Sequence, residues 1–129
     1  MKSILLADDD AAIRETLGQV LILEQYSVIF AATGREAAAK LASHLPDLLL
    51  LDLSMADRDG WDTLNLMNGA QPSVPVVIIT AKPHQAKRVT SMGASALMEK
   101  PLDIPFLLKT IRDLLATPVT RGGMRLAAA

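Results

Sequence analysis

The run Leu48-Leu49-Leu50-Leu51-Asp52-Leu53-Ser54 constrains this chain more than any other stretch. Four consecutive leucines lead into one carboxylate, and the turn-like sequence ADRDG follows at residues 56–60. A short apolar run of this kind predicts a strand buried on both faces, as in a parallel sheet. Leaving a carboxylate unpaired in such surroundings costs several kcal/mol or more, on the order of measured transfer penalties. Asp52 must therefore lie at the wet edge of the sheet or find partners there.

The rest of the chain supplies both the sheet and the partners. Residues 3–7 (SILLA) form a second apolar run that ends in acid, at Asp8-Asp9-Asp10. Asp10 has the chemistry of a helix N-cap, and over residues 11–24 Ile13, Leu17, Val20 and Leu21 fall on one helical stripe. Residues 26–31 (YSVIFA) predict a strand. Thr33-Gly34 opens a helix on which Ala37, Leu41 and Leu45 line up before Pro46 stops it. After the leucine strand come a short helix over residues 60–67, a loop, and a strand over residues 74–80 (VPVVIIT) that ends on Thr80. A polar helix over residues 83–92, a weaker strand over residues 94–99 closing on Lys100-Pro101, and a helix capped by Asp103 complete the pattern. On that last helix Leu107, Ile111 and Leu114 share a face. Five strand–helix alternations with crossover-length connections predict an α/β fold, a doubly wound parallel sheet with helices on both faces.

Composition narrows the function classes. No apolar run approaches the roughly 18 residues of a membrane span, and MKSILLADDD lacks the layout of a signal peptide, so a cytoplasmic protein with no membrane partner is expected. The absence of cysteine removes disulfides, thiol nucleophiles and thiolate zinc sites. A formal net charge of −1 leaves no electrostatic footprint for nucleic acid. A single domain over residues 1–116 is expected. The stretch 117–129, TPVTRGGMRLAAA, reads as a flexible tail or linker, whose closing LAAA is also consistent with a cloning remnant.

In an open parallel sheet, ligands bind beyond the carboxyl ends of the strands, near the point where strand order reverses. The residues placed at those ends are Asp8, Asp9, Asp52, Thr80 and Lys100. Three acids against one lysine leave negative charge in excess, and crowded carboxylates raise one another's pKa. Mg2+ relieves the conflict, because it takes oxygen ligands and is held by one or two carboxylates plus phosphate oxygens. No histidine or cysteine stands at these ends, which disfavours zinc. A carboxylate beside a divalent cation, an ammonium and a hydroxyl is suited to accept a phosphoryl group.

The motifs ILLADDD, LLLLDLSM with DG following, VVIITA, and MEKP after GASAL, in this order and at these spacings, resemble the receiver domains of two-component response regulators over roughly residues 2–116. The resemblance implies a flavodoxin-like (βα)5 sheet with strand order 2-1-3-4-5. It implies phosphoryl transfer to Asp52 from a sensor histidine kinase or a histidine phosphotransfer protein, in a signalling domain that catalyses only its own phosphorylation and dephosphorylation. It implies Asp9 as a direct Mg2+ ligand, Asp8 assisting, the Ser54 backbone carbonyl as a third protein ligand, Thr80 as the hydroxyl that follows the phosphoryl group, and Lys100 as its charge partner. The Lys100-Pro101 bond is expected to be cis. Ser54 and Lys82 lie where the family tunes phosphoryl lifetime, and the lysine favours a slow loss. Leu97 stands where many receivers carry Tyr or Phe, Leu102 replaces a common Phe, and Ala56 a common Pro; these departures bear on readout rather than on chemistry.

Bland readings stand beside these. Asp10 is a cap and no more, whereas Asp8 and Asp9 together exceed what one cap needs. Thr80 alone is an ordinary strand residue and Lys100 alone an ordinary surface lysine. His44 and His84 read as surface helix residues, Met55, Met67, Met92 and Met98 as core filler, and Trp61 as a partial cover for the third helix. Two other functions compete: an aspartyl-phosphate-forming hydrolase of haloacid dehalogenase type, and a flavin or nucleotide binder of the same topology. The first wants an acid where Ser54 stands; the second wants a phosphate-binding loop where DDDAA stands. No output module follows the last helix, so a stand-alone receiver, monomeric or weakly dimeric, and a receiver from a longer protein both remain open.

Overall fold

The computed structural model describes residues 1–53, 74–81 and 94–116. Within them lie five strands, β1 Ser3–Ala7, β2 Ser27–Ala31, β3 Leu48–Asp52, β4 Val76–Thr80 and β5 Ala96–Glu99, and three helices, α1 Ala11–Leu23, α2 Gly34–His44 and α3 Ile104–Ala116. The expected helices over residues 60–67 and 83–92, Ala56, Trp61, His84, Met55, Met67, Met92 and the tail from residue 117 fall outside the described residues.

The strands form one parallel sheet in the order β2-β1-β3-β4-β5. Period-two alternation sorts its side chains. Leu5, Ala7, Leu49, Leu51, Val76 and Ile78 pack with Ala37 and Leu41 of α2. Ile4, Leu6, Leu48, Leu50 and Val77 pack with Leu17 and Leu21 of α1 and Leu107 and Ile111 of α3. Both faces are therefore covered, and every residue of β3 and β4 is buried. Met98 is core filler, as expected, on the face shared by α1 and α3.

Helix ends follow local chemistry. Asp10 Oδ1 accepts the Ala12 and Ile13 N–H groups at 2.9 and 3.3 Å, so α1 is capped as expected. Its far end closes in a Schellman motif: the Tyr26 N–H reaches Leu21 O at 3.1 Å and the Gln25 N–H reaches Ile22 O at 2.9 Å. Gln25 takes the left-handed conformation there, φ 69°. Thr33 and Glu36 cap α2 reciprocally, with Thr33 Oγ1 accepting the Glu36 N–H and Glu36 Oε1 accepting the Ala32 N–H. Leu45 departs from its expected place on the apolar stripe. It lies one residue beyond α2 at φ 48°, where the backbone turns out of the helix, and its side chain is exposed. Asp103 Oδ1 accepts the Phe106 N–H at 3.0 Å and starts α3.

At the amino edge of the sheet, Asp47 Oδ2 accepts the Ser3 N–H at 2.7 Å. This side-chain bond ties β1 to the residue preceding β3 and supports the register Ile4↔Leu48 to Ala7↔Leu51. A slip of one residue would turn each leucine to the opposite face.

Candidate functional site

Four strands deliver side chains to one edge. Asp8 follows β1, Asp52 ends β3, Thr80 ends β4 and Lys100 follows β5. Chain order reverses between β1 and β3, which makes their carboxyl ends the switch point of the sheet. Because Ala7 registers with Leu51, Asp8 and Asp52 emerge side by side. Ladder bonding runs past the strand ends: Asp8 N–H to Ala31 O at 3.1 Å, Leu53 N–H to Ile79 O at 3.2 Å, and Lys100 N–H to Thr80 O at 2.9 Å. The site is thus held by the sheet itself. Lys100-Pro101 is cis, as expected.

Asp8, Asp9 and Asp52 each offer a carboxylate oxygen, and these oxygens lie within 4.8 Å of one another. Asp8 and Asp52 are buried, at 1 % and 2 % exposure, whereas Asp9 faces solvent. Lys100 Nζ lies 3.3 Å from Asp52 Oδ2 and 3.9 Å from Asp8 Oδ2. Asp8 Oδ1 accepts the Asp10 N–H at 2.9 Å. Its Oδ2 is buried and accepts no hydrogen bond from the described residues. Burial pushes the Asp8 carboxyl above its ordinary pKa; the Asp10 N–H opposes the shift, Asp52 adds to it, Lys100 opposes it, and Asp9 adds to it. A buried carboxylate oxygen without a donor, next to two further carboxylates, is a place for a cation. The all-oxygen donor set fits a hard one such as Mg2+.

The sequence-predicted residues Asp8, Asp9, Asp52 and Lys100 are brought together, and the buried Thr80 ends the adjacent strand. Leu97 lies inside β5, half-buried against the core on the α2 side. Ser54 and Lys82 fall outside the described residues. Sequence reasoning passed over Arg14, whose Nη1 donates to the backbone carbonyl of Asp8 at 2.6 Å. The available signal was its position: a cation in the first turns of α1 opposes the helix dipole and invites a specific reason for being there.

Residues 4–112 match the family model for the response regulator receiver domain. The chain belongs to that family. It is 37 % identical over 114 residues to the response regulator MprA of Mycobacterium tuberculosis, covering 87 % of this chain and 50 % of that protein. It is 34 % identical over 128 residues to MprA of Mycolicibacterium vanbaalenii, covering 98 % and 55 %. The chain spans about half the length of these curated relatives. Among solved structures, a CheY-like receiver domain protein from Methanospirillum hungatei superposes with TM-score 0.85 at 31 % identity, covering 89 % of this chain and 94 % of that one. The response regulator TrrA from Thermotoga maritima, in complex with Mg2+-BeF, superposes with TM-score 0.82 at 29 % identity, covering 88 % and 99 %.

The receiver fold and the role in two-component signalling are therefore those read from the motifs, and the hydrolase and nucleotide-binder readings are not favoured. A signalling role without turnover of an external substrate is consistent with the family. Among the described residues no helix is long and apolar enough to cross a membrane.

Proposed function

We propose that Asp52 is the phosphoacceptor and that Asp8, Asp9, Asp52 and the Ser54 backbone carbonyl hold Mg2+. The supporting observation is the gathering of three carboxylates within 4.8 Å of one another around a buried Asp8 oxygen that has no donor among the described residues, with Lys100 3.3 Å from Asp52. A carboxylate oxygen of Asp52 forms the new O–P bond as the P–N bond of a phosphohistidine breaks, and the bonding pair leaves with the imidazole nitrogen. Asp52 rather than Asp8 is assigned this role because Lys100 Nζ lies closer to it, 3.3 Å from Asp52 Oδ2 against 3.9 Å from Asp8 Oδ2, and because it ends the central strand of the site. Bound Mg2+ would supply charge neutralisation for the phosphoryl oxygens. Lys100 holds Asp52 and then pairs with the phosphoryl group, and the Thr80 hydroxyl follows that group as the switch.

The donor is a sensor histidine kinase or a histidine phosphotransfer protein. Residues 1–116 act as the receiver unit in the cytoplasm, as a monomer or weak dimer, with residues 117–129 as tail or linker to whatever output the phosphorylated state controls. Lys82 and Ser54, neither of them a carboxylate or amide, give a slow loss of phosphate. The test of the acceptor is incubation with acetyl phosphate and Mg2+ followed by mass spectrometry. One hydroxylamine-labile phosphoryl group is expected on the wild type and none on Asp52→Asn; labelling that persists in the variant overturns the assignment.

A further inference from the structure

Asp8 is bonded in three directions. Its N–H donates to Ala31 O at 3.1 Å, its Oδ1 accepts the Asp10 N–H at 2.9 Å, and its backbone carbonyl accepts Arg14 Nη1 at 2.6 Å. The first two bonds come from the sheet and from the turn into α1. The third comes from a side chain four residues past the cap, the residue whose own N–H bonds to Asp10 O at 3.0 Å. Helical side chains lean toward the amino terminus, so a long residue at this position reaches back over the acidic loop. Arg14 is half-buried there.

The peptide unit is planar, so the carbonyl oxygen of Asp8 cannot be fixed without fixing the N and Cα of Asp9. Asp9 is the exposed member of the acidic trio, with neither burial nor, among the hydrogen bonds of Asp8 and Asp10, a bond of its own side chain to orient it. Placing a guanidinium near the positive end of α1 carries an electrostatic cost, which a charge-assisted bond to the carbonyl offsets. We propose that Arg14 is a positioning residue: by clamping the Asp8–Asp9 peptide it aims the Asp9 carboxylate into the cation site. This inference rests on the reading of Asp9 as a Mg2+ ligand.

The sign of one measurement separates this role from its rivals. Were Arg14 only a nearby positive charge, removing it would tighten binding of a divalent cation. Were it only a structural contact, removing it would lower stability and leave the affinity for Mg2+ unchanged. Positioning predicts weaker binding. For Arg14→Gln we expect the Mg2+ Kd, measured by calorimetric titration, to rise about tenfold, the scale of one lost charge-assisted bond. Arg14→Lys, which keeps the charge but not the planar fork, should recover part of that loss, and it carries the test if Arg14→Gln does not fold. Saturating Mg2+ should restore the wild-type rate of labelling by acetyl phosphate in both. A Kd that is unchanged or lower in both Arg14 variants, with Asp9→Asn weakened, overturns the clamp alone. A Kd unchanged in Asp9→Asn itself overturns the metal-site reading on which the clamp rests.

Discussion

Replacing Asp8 by Asn should stabilise the metal-free fold. The side chain is buried, its Oδ2 has no hydrogen-bond donor among the described residues, and Asp52 and Asp9 crowd it with like charge. Asparagine keeps the shape, still accepts the Asp10 N–H through Oδ1, removes the charge, and replaces the donor-starved Oδ2 by an NH2 group that can donate to the neighbouring Asp52 or Asp9 carboxylate. Leaving a buried acceptor unsatisfied costs about 1–3 kcal/mol, and relieving it should raise Tm by roughly 4–12 °C for a domain of this size. The assay is thermal unfolding in EDTA at pH 7. Burial raises the native pKa of Asp8 above its ordinary 3.8, so the native state binds this proton more tightly than the unfolded chain does. Asp8 therefore penalises the fold above its raised native pKa. As pH falls from neutral toward 3.8 the native state takes up the proton first and the penalty is lost. The advantage of Asp8→Asn should shrink across that window. Mg2+ should shrink it as well, since a ligand at tenfold its Kd adds roughly 1.4 kcal/mol to the form that binds it. A variant less stable than wild type in EDTA at pH 7, or an advantage that does not change with pH, would refute the argument.

Gly18→Ala puts a Cβ 2.5 Å from Phe30 Cζ and 2.6 Å from Cε1; overpacking of about 1–3 kcal/mol should outweigh the roughly 1 kcal/mol of helix propensity gained, and a more stable variant in urea unfolding would contradict this. Leu97→Ala should cost about 1–2 kcal/mol, less than a fully buried leucine, with phosphorylation retained; loss of labelling in a still-folded protein would give Leu97 a part in the chemistry.

The fold was legible because its strongest signals are local. Two fully buried strands announce themselves as apolar runs, and their polar last residues, Asp52 and Thr80, mark the edge where they end. Asp10, Thr33 and Asp103 cap helices with the groups their positions require. The end of α1 was harder to place, because its Schellman turn is built on Gln25, a residue without glycine's preference for positive φ. Leu45 was misplaced for a related reason: periodicity counts it on the stripe, and only the backbone turn at φ 48° takes it off. Within the site, the carboxylates and Lys100 follow from strand ends alone. Arg14 leaves only the weak mark of a cation in the first turns of α1, since a side chain that reaches backward to a main-chain carbonyl pairs with no particular residue type.

Phosphorylation of Asp52, as proposed, adds charge and acceptor oxygens at the tip of a fully buried strand. That strand has little freedom to respond. All five of its residues are buried, its leucines interlock with both faces, and shifting it by one residue would reverse them. Bonds from Leu53 to Ile79 and from Lys100 to Thr80 hold the neighbouring tips to the same frame. On this reading the added charge is met by the Lys100 ammonium, 29 % exposed on a flexible stem, with the buried Thr80 at the end of the adjacent strand. Lys100 and Thr80 are carried by strands on one side of β3, whereas Asp8 and Asp9 follow β1 on the other side, with Asp52 between them. With Asp52 as the proposed acceptor, the β1 side of the site faces the cation and the β4–β5 side faces the phosphoryl group. We therefore expect phosphorylation to leave the register of β1, β3 and β4 unchanged, with its effects concentrated at the tips of β4 and β5.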